Sequence, residues 1–377
     1  MYVRPHSLFK KFMAGLAAKP QASVVHSLAQ SPTLAEFLPD LDPSLSLDWS
    51  GKSFFGLPVL REHILARTGT GVNCGIDDVL ITAGAAEANF LAISQLVQPG
   101  DEMIVDVPGW PQPLVLGEAI GATVKRLQRY EDRAWRFDLN QLSELVSDRT
   151  RLIFLCHPNN PTGQIITEEE LKTVVEIADR VGAYVLCDEV YAGMEWDDQA
   201  IVRIANLYDK GISVGSVSKV LGLQGLRTGW MVCRDHKLLF DAMVLREDTS
   251  EIMNIMGEAI AEIALREDRY ATAVARARAA GRHNLDIVDA WIANRPELSW
   301  HRPAAGLIGF CRLDTAISAD ELAQRLIGEP YRTFVMPGSA YGFPQHLRLG
   351  VGGGINAGIE DALQRLADCL DDVATLS

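Results

Sequence analysis

Between residues 79 and 233, short apolar runs alternate with stretches of helical periodicity, and few folds satisfy that alternation. The runs are Val79-Leu80-Ile81-Thr82, Met103-Ile104-Val105 and the segments 123–127, 152–156, 184–187 and 229–233. Each is too short for a helix. Most are apolar at successive rather than alternate positions, as strands are when both faces of their sheet are covered. Helical spacing at 139–145 and 168–181 supplies the covering layers. The expected architecture is α/β: a large domain with a mostly parallel sheet wrapped by helices. A second, shorter α/β pattern ends the chain, with strands at 306–313, 333–336 and 346–351 and helices at 319–327 and 359–371. At 377 residues the chain is long enough for both. The expected division is an N-terminal arm that shares in the smaller domain (1–48), a large domain (49–285) and a smaller C-terminal domain (286–377). Further helices are expected at 7–18 and 60–66, and a long helical run from 236 to about 292.

One stretch in this frame carries chemistry. Between Ser213 and Trp230 a single lysine, Lys219, stands among small residues, with hydroxyls at Ser216 and Ser218 and a guanidinium at Arg227. Most lysines on loops are solvated. Desolvation and charged neighbours, however, turn the amine into a nucleophile whose natural partner is a carbonyl, giving a Schiff base. The hydroxyls and the guanidinium are donors of the kind a phosphate takes. Upstream, Val185 to Tyr191 reads as a buried strand ending in an acid, so Asp188 can partner a protonated ring nitrogen. A ligand with an aldehyde, a phosphate and a pyridinium nitrogen is pyridoxal phosphate. At Gly84, Ala85 and Ala86 a strand turns into a helix through small residues, which lets backbone N–H groups approach an anion. The loop His157 to Gly163 follows a strand, where open α/β sheets bind ligands. Arg348 sits between Leu347 and Leu349 in a strand; pointing inward, it needs either an internal acid or a ligand carboxylate.

On these residues the chain resembles the fold-type I pyridoxal-phosphate enzymes of the class I and II aminotransferase family. The resemblance spans most of residues 50–355. Its motifs are Asn160-Pro161-Thr162-Gly163, Asp188-Glu189-Val190-Tyr191, Ser216-Val217-Ser218-Lys219 with Arg227, and His346-Leu347-Arg348-Leu349. It implies an aspartate-aminotransferase-like fold, pyridoxal 5'-phosphate as cofactor, an amino-acid substrate with a 2-oxoacid, and a homodimer whose arm reaches the partner subunit. It further implies a phosphate cup at Gly84, Ala85 and Ala86 with Ser216, Ser218 and Arg227. Trp110 would stack on the pyridine, and Asn160 and Tyr191 would donate to its ring oxygen. Catalysis would rest on Lys219, Asp188 and Tyr191, with Lys219 forming the aldimine and removing the α-proton. Arg348, with Asn160, would take the substrate carboxylate.

Two positions depart from the family pattern. The segment His26 to Ser31 lacks the usual glycine, and Ser50, Lys52, Ser53, Phe54 and Phe55 stand where a tyrosine normally reaches the neighbouring subunit's phosphate. With the run Ala83 to Phe90, these departures resemble a branch that includes capreomycidine-synthase-like enzymes. Transamination is therefore the first expectation and elimination or cyclisation the second. An idle scaffold is the third; it would not need Lys219, Asp188 and Arg227 together.

A net charge of −14 argues against nucleic acid or an anionic membrane as partner. Six scattered cysteines with no CxxC pair suggest reduced, buried thiols, no metal and a cytoplasmic protein. No run after Met1 resembles a signal peptide, and no stretch is long enough to span a bilayer.

Overall fold

The computed structural model describes residues 2–197, 200–355 and 358–376. Helix α1 (Ser7–Ala17), strand β1 (Ala22–Ser23) and helix α2 (Pro58–Thr68) lead into the large sheet. Then follow β2 (Val79–Thr82), α3 (Ala85–Leu96), β3 (Glu102–Val107), α4 (Gln112–Ile120), β4 (Thr123–Tyr130), β5 (Arg136–Phe137) and α5 (Leu139–Leu145). The sheet is completed through β6 (Thr150–Cys156), α6 (Glu168–Asp179), β7 (Tyr184–Asp188), α7 (Ile204–Leu207), β8 (Gly211–Ser216) and β9 (Gly229–Val232). Its strands pair in the order β2-β9-β8-β7-β6-β3-β4-β5. The interior run from β8 to β4 is parallel, and β9 lies antiparallel between β2 and β8.

Successive strand residues enter opposite cores, which explains the unbroken apolar runs. Met103, Val105, Leu152, Phe154 and Leu186 pack with residues of α3, α4 and α8 (His236–Leu245) on one face. Ile104, Ile153, Leu155, Val185 and Cys187 pack with residues of α5, α6 and α7 on the other. Each fully buried side chain of this size contributes roughly 1.5–3 kcal/mol, and charges at the strand ends are held against that background. Helix α6 begins where the sequence marks it. The Thr167 hydroxyl accepts from Glu170 N at 3.2 Å and the Glu170 carboxylate accepts from Thr167 N at 2.8 Å, a reciprocal cap.

After α8 come α9 (Ile255–Ala264) and α10 (Glu267–Ala293), then β10 (Leu298–Trp300), β11 (Ile308–Leu313), α11 (Ala319–Ile327), β12 (Thr333–Phe334), β13 (Met336–Pro337), β14 (His346–Gly350) and α12 (Ile359–Leu376). Strands β10-β11-β14-β13 form an antiparallel sheet, and β1 pairs in parallel with β12. The N-terminal segment thus joins the smaller sheet's side of the molecule. Several sequence expectations need correction. Strands β1, β5, β8 and β10 and helices α4 and α7 were not anticipated, the run 236–292 is three helices rather than one, and the strand at 333–336 is two short ones. The long run breaks because Asn254 caps α9, its side-chain oxygen accepting from Gly257 N at 3.0 Å.

The segment after β1 continues alongside the residues that follow β14. Gly350, Gly352 and Gly353 N donate to the carbonyls of Val24, His26 and Leu28 at 2.7, 2.9 and 2.8 Å. A Cβ on Gly352 would stand 2.1 Å from the Leu28 oxygen, so this approach requires glycine. Among the described residues no helix is long and apolar enough to cross a membrane, and no cluster of three potential metal ligands occurs. All six cysteines are free and buried.

Candidate active site

The candidate residues converge at the carboxyl ends of the large sheet's strands. Asp188 ends β7, Lys219 follows β8, Asn160 follows β6, Trp110 follows β3 and Gly84 follows β2. The Lys219 loop is fixed by its apolar neighbours. Val217, Val220 and Leu221 are buried, Leu223 N donates to Val217 O at 3.2 Å, and Ala29 N donates to Lys219 O at 2.9 Å. The backbone is anchored on both sides, and the side chain turns inward with its Nζ 5.5 Å from the centre of the Tyr191 ring.

Burial lowers the Lys219 amine to about 8, and the Arg348 guanidinium pushes in the same direction; Asp188 opposes them. A neutral amine is the nucleophilic form. Uptake of pyridoxal phosphate by the apo-protein should therefore quicken as pH rises through about 8 and level off above it. Stopped-flow absorbance checks this, and a rate still climbing toward 10.5, the ordinary lysine value, would contradict it.

Asp188 is buried, and burial pushes its carboxyl up; the Asn89 amide, donating to Oδ2 at 2.9 Å, and Lys219 counter that shift. The second amide atom of Asn89, Oδ1, is buried without a partner among the described residues. Asn160 Oδ1 accepts from the Tyr341 hydroxyl at 3.1 Å, and that hydroxyl accepts from Arg348 Nη1 at 3.0 Å. Arg348 Nη2 donates to Val25 O at 3.3 Å, and its Nε is buried without a partner among the described residues. No carboxylate lies within ion-pair distance of Arg348 among the described residues, although its exposure is only 5%.

Gly84 opens α3 with φ at 84°, and a Cβ there would stand 2.5 Å from Arg227 Nη2. The absence of a side chain leaves a cradle between the first amides of α3, those of Ala85 and Ala86 among them, and the Arg227 guanidinium. That cradle suits an anion. Arg227 is otherwise lightly held, donating to Ala83 O and Gln224 O at 3.3 and 3.2 Å. Ser216 and Ser218 are buried beneath the lysine loop, with Ser218 N donating to Ser216 Oγ at 3.3 Å. Trp110 is half-buried. Its indole N–H donates to Gln112 Oε1 at 3.4 Å, and Gln112 Nε2 donates to Ala86 O at 2.7 Å, tethering the ring to the cradle. The Tyr191 hydroxyl donates to Ser27 O at 3.2 Å, which ties the strap at Ser27 to the site.

Sequence reasoning missed several residues. Asn89 lies 99 residues from Asp188 and Tyr341 lies 181 from Asn160, so neither contact leaves a local signal, although Tyr341 also meets Arg348 seven residues on. A charge inside an apolar strand does mark Asp106. It accepts from Arg129 Nε and Nη2 at 2.9 and 2.7 Å, and its other oxygen accepts from Cys156 N at 3.2 Å. Asn159 Nδ2 donates to Pro108 O at 3.1 Å, and Asn159 Oδ1 accepts from the Thr162 hydroxyl at 2.7 Å. This buried network holds the loop that presents Asn160.

Comparison with known proteins agrees with that geometry. The family model "Aminotransferase class I and II" matches residues 52–366. Aspartate aminotransferase of Pyrococcus horikoshii is 28% identical over 299 residues, 76% of this chain and 74% of the relative. Capreomycidine synthase of Streptomyces vinaceus is 28% identical over 293 residues, 77% and 73%. The crystal structure of a PLP-dependent aminotransferase from Streptococcus suis superimposes with a TM-score of 0.91 at 26% identity, covering 99% of both chains. A nucleophilic lysine, a buried acid and an anion cradle are what pyridoxal phosphate needs, and the chain belongs to the class I and II aminotransferase family, an enzyme dependent on that cofactor.

Proposed function

We propose that the enzyme moves an amino group from an L-amino acid to a 2-oxoacid, with Lys219 carrying the α-proton and Arg348 receiving the substrate carboxylate. The observation that carries this reading is that Arg348 has no acidic partner among the described residues. A buried charge without a counter-charge costs several kcal/mol, and a guanidinium fork is matched bidentately by a carboxylate. Pyridoxal phosphate, when bound, supplies a pyridinium ring that accepts the electron pair released as the α C–H bond breaks. Gly84, Ala85, Ala86, Ser216, Ser218 and Arg227 would hold its phosphate, and Trp110 would cover its ring. Asn160 and Tyr191 would serve its ring oxygen; Tyr191 must then share or release its bond to Ser27 O. Asp188, oriented by Asn89, would hold a proton on the ring nitrogen. Lys219 Nζ takes the α-proton, and its depressed basicity leaves a useful fraction neutral near pH 8.

The test is spectroscopic. Purified protein loaded with pyridoxal phosphate is mixed with each L-amino acid in turn, and any converted sample is then given a 2-oxoacid. Transamination predicts that the aldehyde form's absorbance disappears and that the oxoacid restores it. A second reading, elimination or cyclisation, draws on the missing tyrosine and on a capreomycidine synthase as similar to this chain as an aspartate aminotransferase is. It predicts a new product with no dependence on an oxoacid.

The same reading makes the chain half of a homodimer. Trp49 and Phe54 are 52% and 46% exposed with ring centroids 5.8 Å apart, an apolar surface that a partner subunit would cover. Sedimentation showing a fully active monomer would refute it.

A further inference from the structure

We propose that Tyr341 is a positioning residue for carboxylate recognition, its hydroxyl joining the Arg348 guanidinium to the Asn160 amide so that both present N–H donors to one ligand carboxylate. This rests on the reading of Arg348 given above and adds a residue to it. Tyr341 ends a short 3₁₀ turn, Gly338–Tyr341, and lies buried with its ring edge-on to Phe310 at 5.9 Å.

The proton bookkeeping gives the bridge a direction. Arginine can only donate, so the phenol oxygen accepts from Arg348 Nη1, and its single proton goes to Asn160 Oδ1. With Oδ1 engaged, the amide cannot turn over without losing that bond. Asn160 Nδ2, a donor, is therefore the atom left to face a ligand. Arg348 is held at Nη1 by Tyr341 and at Nη2 by Val25 O, leaving Nε and the second proton of each terminal nitrogen for a carboxylate. A phenylalanine at 341 would keep the packing and lose both bonds. The guanidinium would then gain a rotational degree of freedom, and the Asn160 amide could present its oxygen, which repels a carboxylate.

The experiment compares Tyr341→Phe, Arg348→Lys and the unaltered holoenzyme with three probes. These are the best amino acid found in the screen, propionate (a carboxylate without the amine) and propylamine (an amine without the carboxylate). Propionate binding is also measured calorimetrically on the apo-proteins, and each melting temperature is recorded so that titrations stay in the folded range. Two lost hydrogen bonds predict that Tyr341→Phe binds the amino acid and propionate about three- to thirtyfold more weakly, with propylamine nearly unaffected and KM moved more than kcat. Equal losses for all three probes would reduce Tyr341 to a structural residue and overturn the proposal. Unchanged propionate affinity in Tyr341→Phe, with a large loss in Arg348→Lys, would overturn it while leaving Arg348 in place. No loss in either variant would overturn both. If the phenylalanine variant does not fold, Tyr341→Leu takes its place in the same titrations.

Discussion

Lys219→Ala is expected to lose at least about a thousandfold in turnover, within the range a positioned general base contributes, while the protein remains folded. The change removes the amine proposed to take the α-proton and leaves everything that fixes the loop. Val217, Val220 and Leu221 stay buried, and Ala29 N still donates to the backbone oxygen at residue 219. The amine is desolvated in the native state, so its removal should leave the melting temperature unchanged or raise it. Single-turnover absorbance with saturating amino acid and a thermal melt decide the matter together. Activity retained above about one part in a thousand would remove Lys219 from the chemistry. A collapsed melting temperature would mean the loop, not the amine, had been lost.

Asp188→Asn is expected to retain the cofactor and lose about a hundred- to a thousandfold in turnover, the scale of one pre-organised electrostatic contact. The amide has the carboxylate's shape, and its oxygen can still accept from Asn89 Nδ2. It cannot keep a proton on a ring nitrogen, because it carries no charge to stabilise the cation. The cradle at Gly84 and Arg227 is distant in sequence and unaltered, so binding measured by fluorescence quenching should change little. Burial pushes the Asp188 carboxyl up, and Asn89 and Lys219 counter that shift without cancelling it. A cation held against it should bring it back into the ionised form. Comparable turnover in the two proteins would leave Asp188 as a strand-end acid satisfied by Asn89.

How much of this was legible in the sequence depends on the range of the interaction. β2 was readable at Val79–Thr82 and α11 at Ala319–Ile327 because apolar periodicity and caps are local. β8 was not. Gly211-Ile212-Ser213-Val214-Gly215-Ser216 mixes small and polar residues with only two large apolar ones. Its place in the sheet is set by partners on β7 and β9. The polar stretch Arg246 to Asn254 hid a helix break that the Asn254 cap makes plain. At the site, a lysine, an acid and an arginine each announced a chemistry through residue type. What they touch was not readable. Asn89 behind Asp188 and Tyr341 beside Asn160 are contacts across the fold, and their residue types, an amide in a helix and a phenol in a turn, have ordinary structural uses. By resemblance the segment His26 to Ser31 takes the place of the family's substrate-contacting loop. The structure adds the reason it can lie there, since the glycines after β14 let two backbones approach without side chains between them.

The claim on which everything else depends is that Lys219 is the residue joined to pyridoxal phosphate. Reduction of the loaded protein with borohydride makes that bond permanent, and digestion followed by mass spectrometry locates it. The expected result is one modified peptide, carrying the reduced cofactor on Lys219, and none from Lys219→Ala. A cofactor fixed on another lysine, or spread over several surface lysines with Lys219 unmodified, would contradict the account.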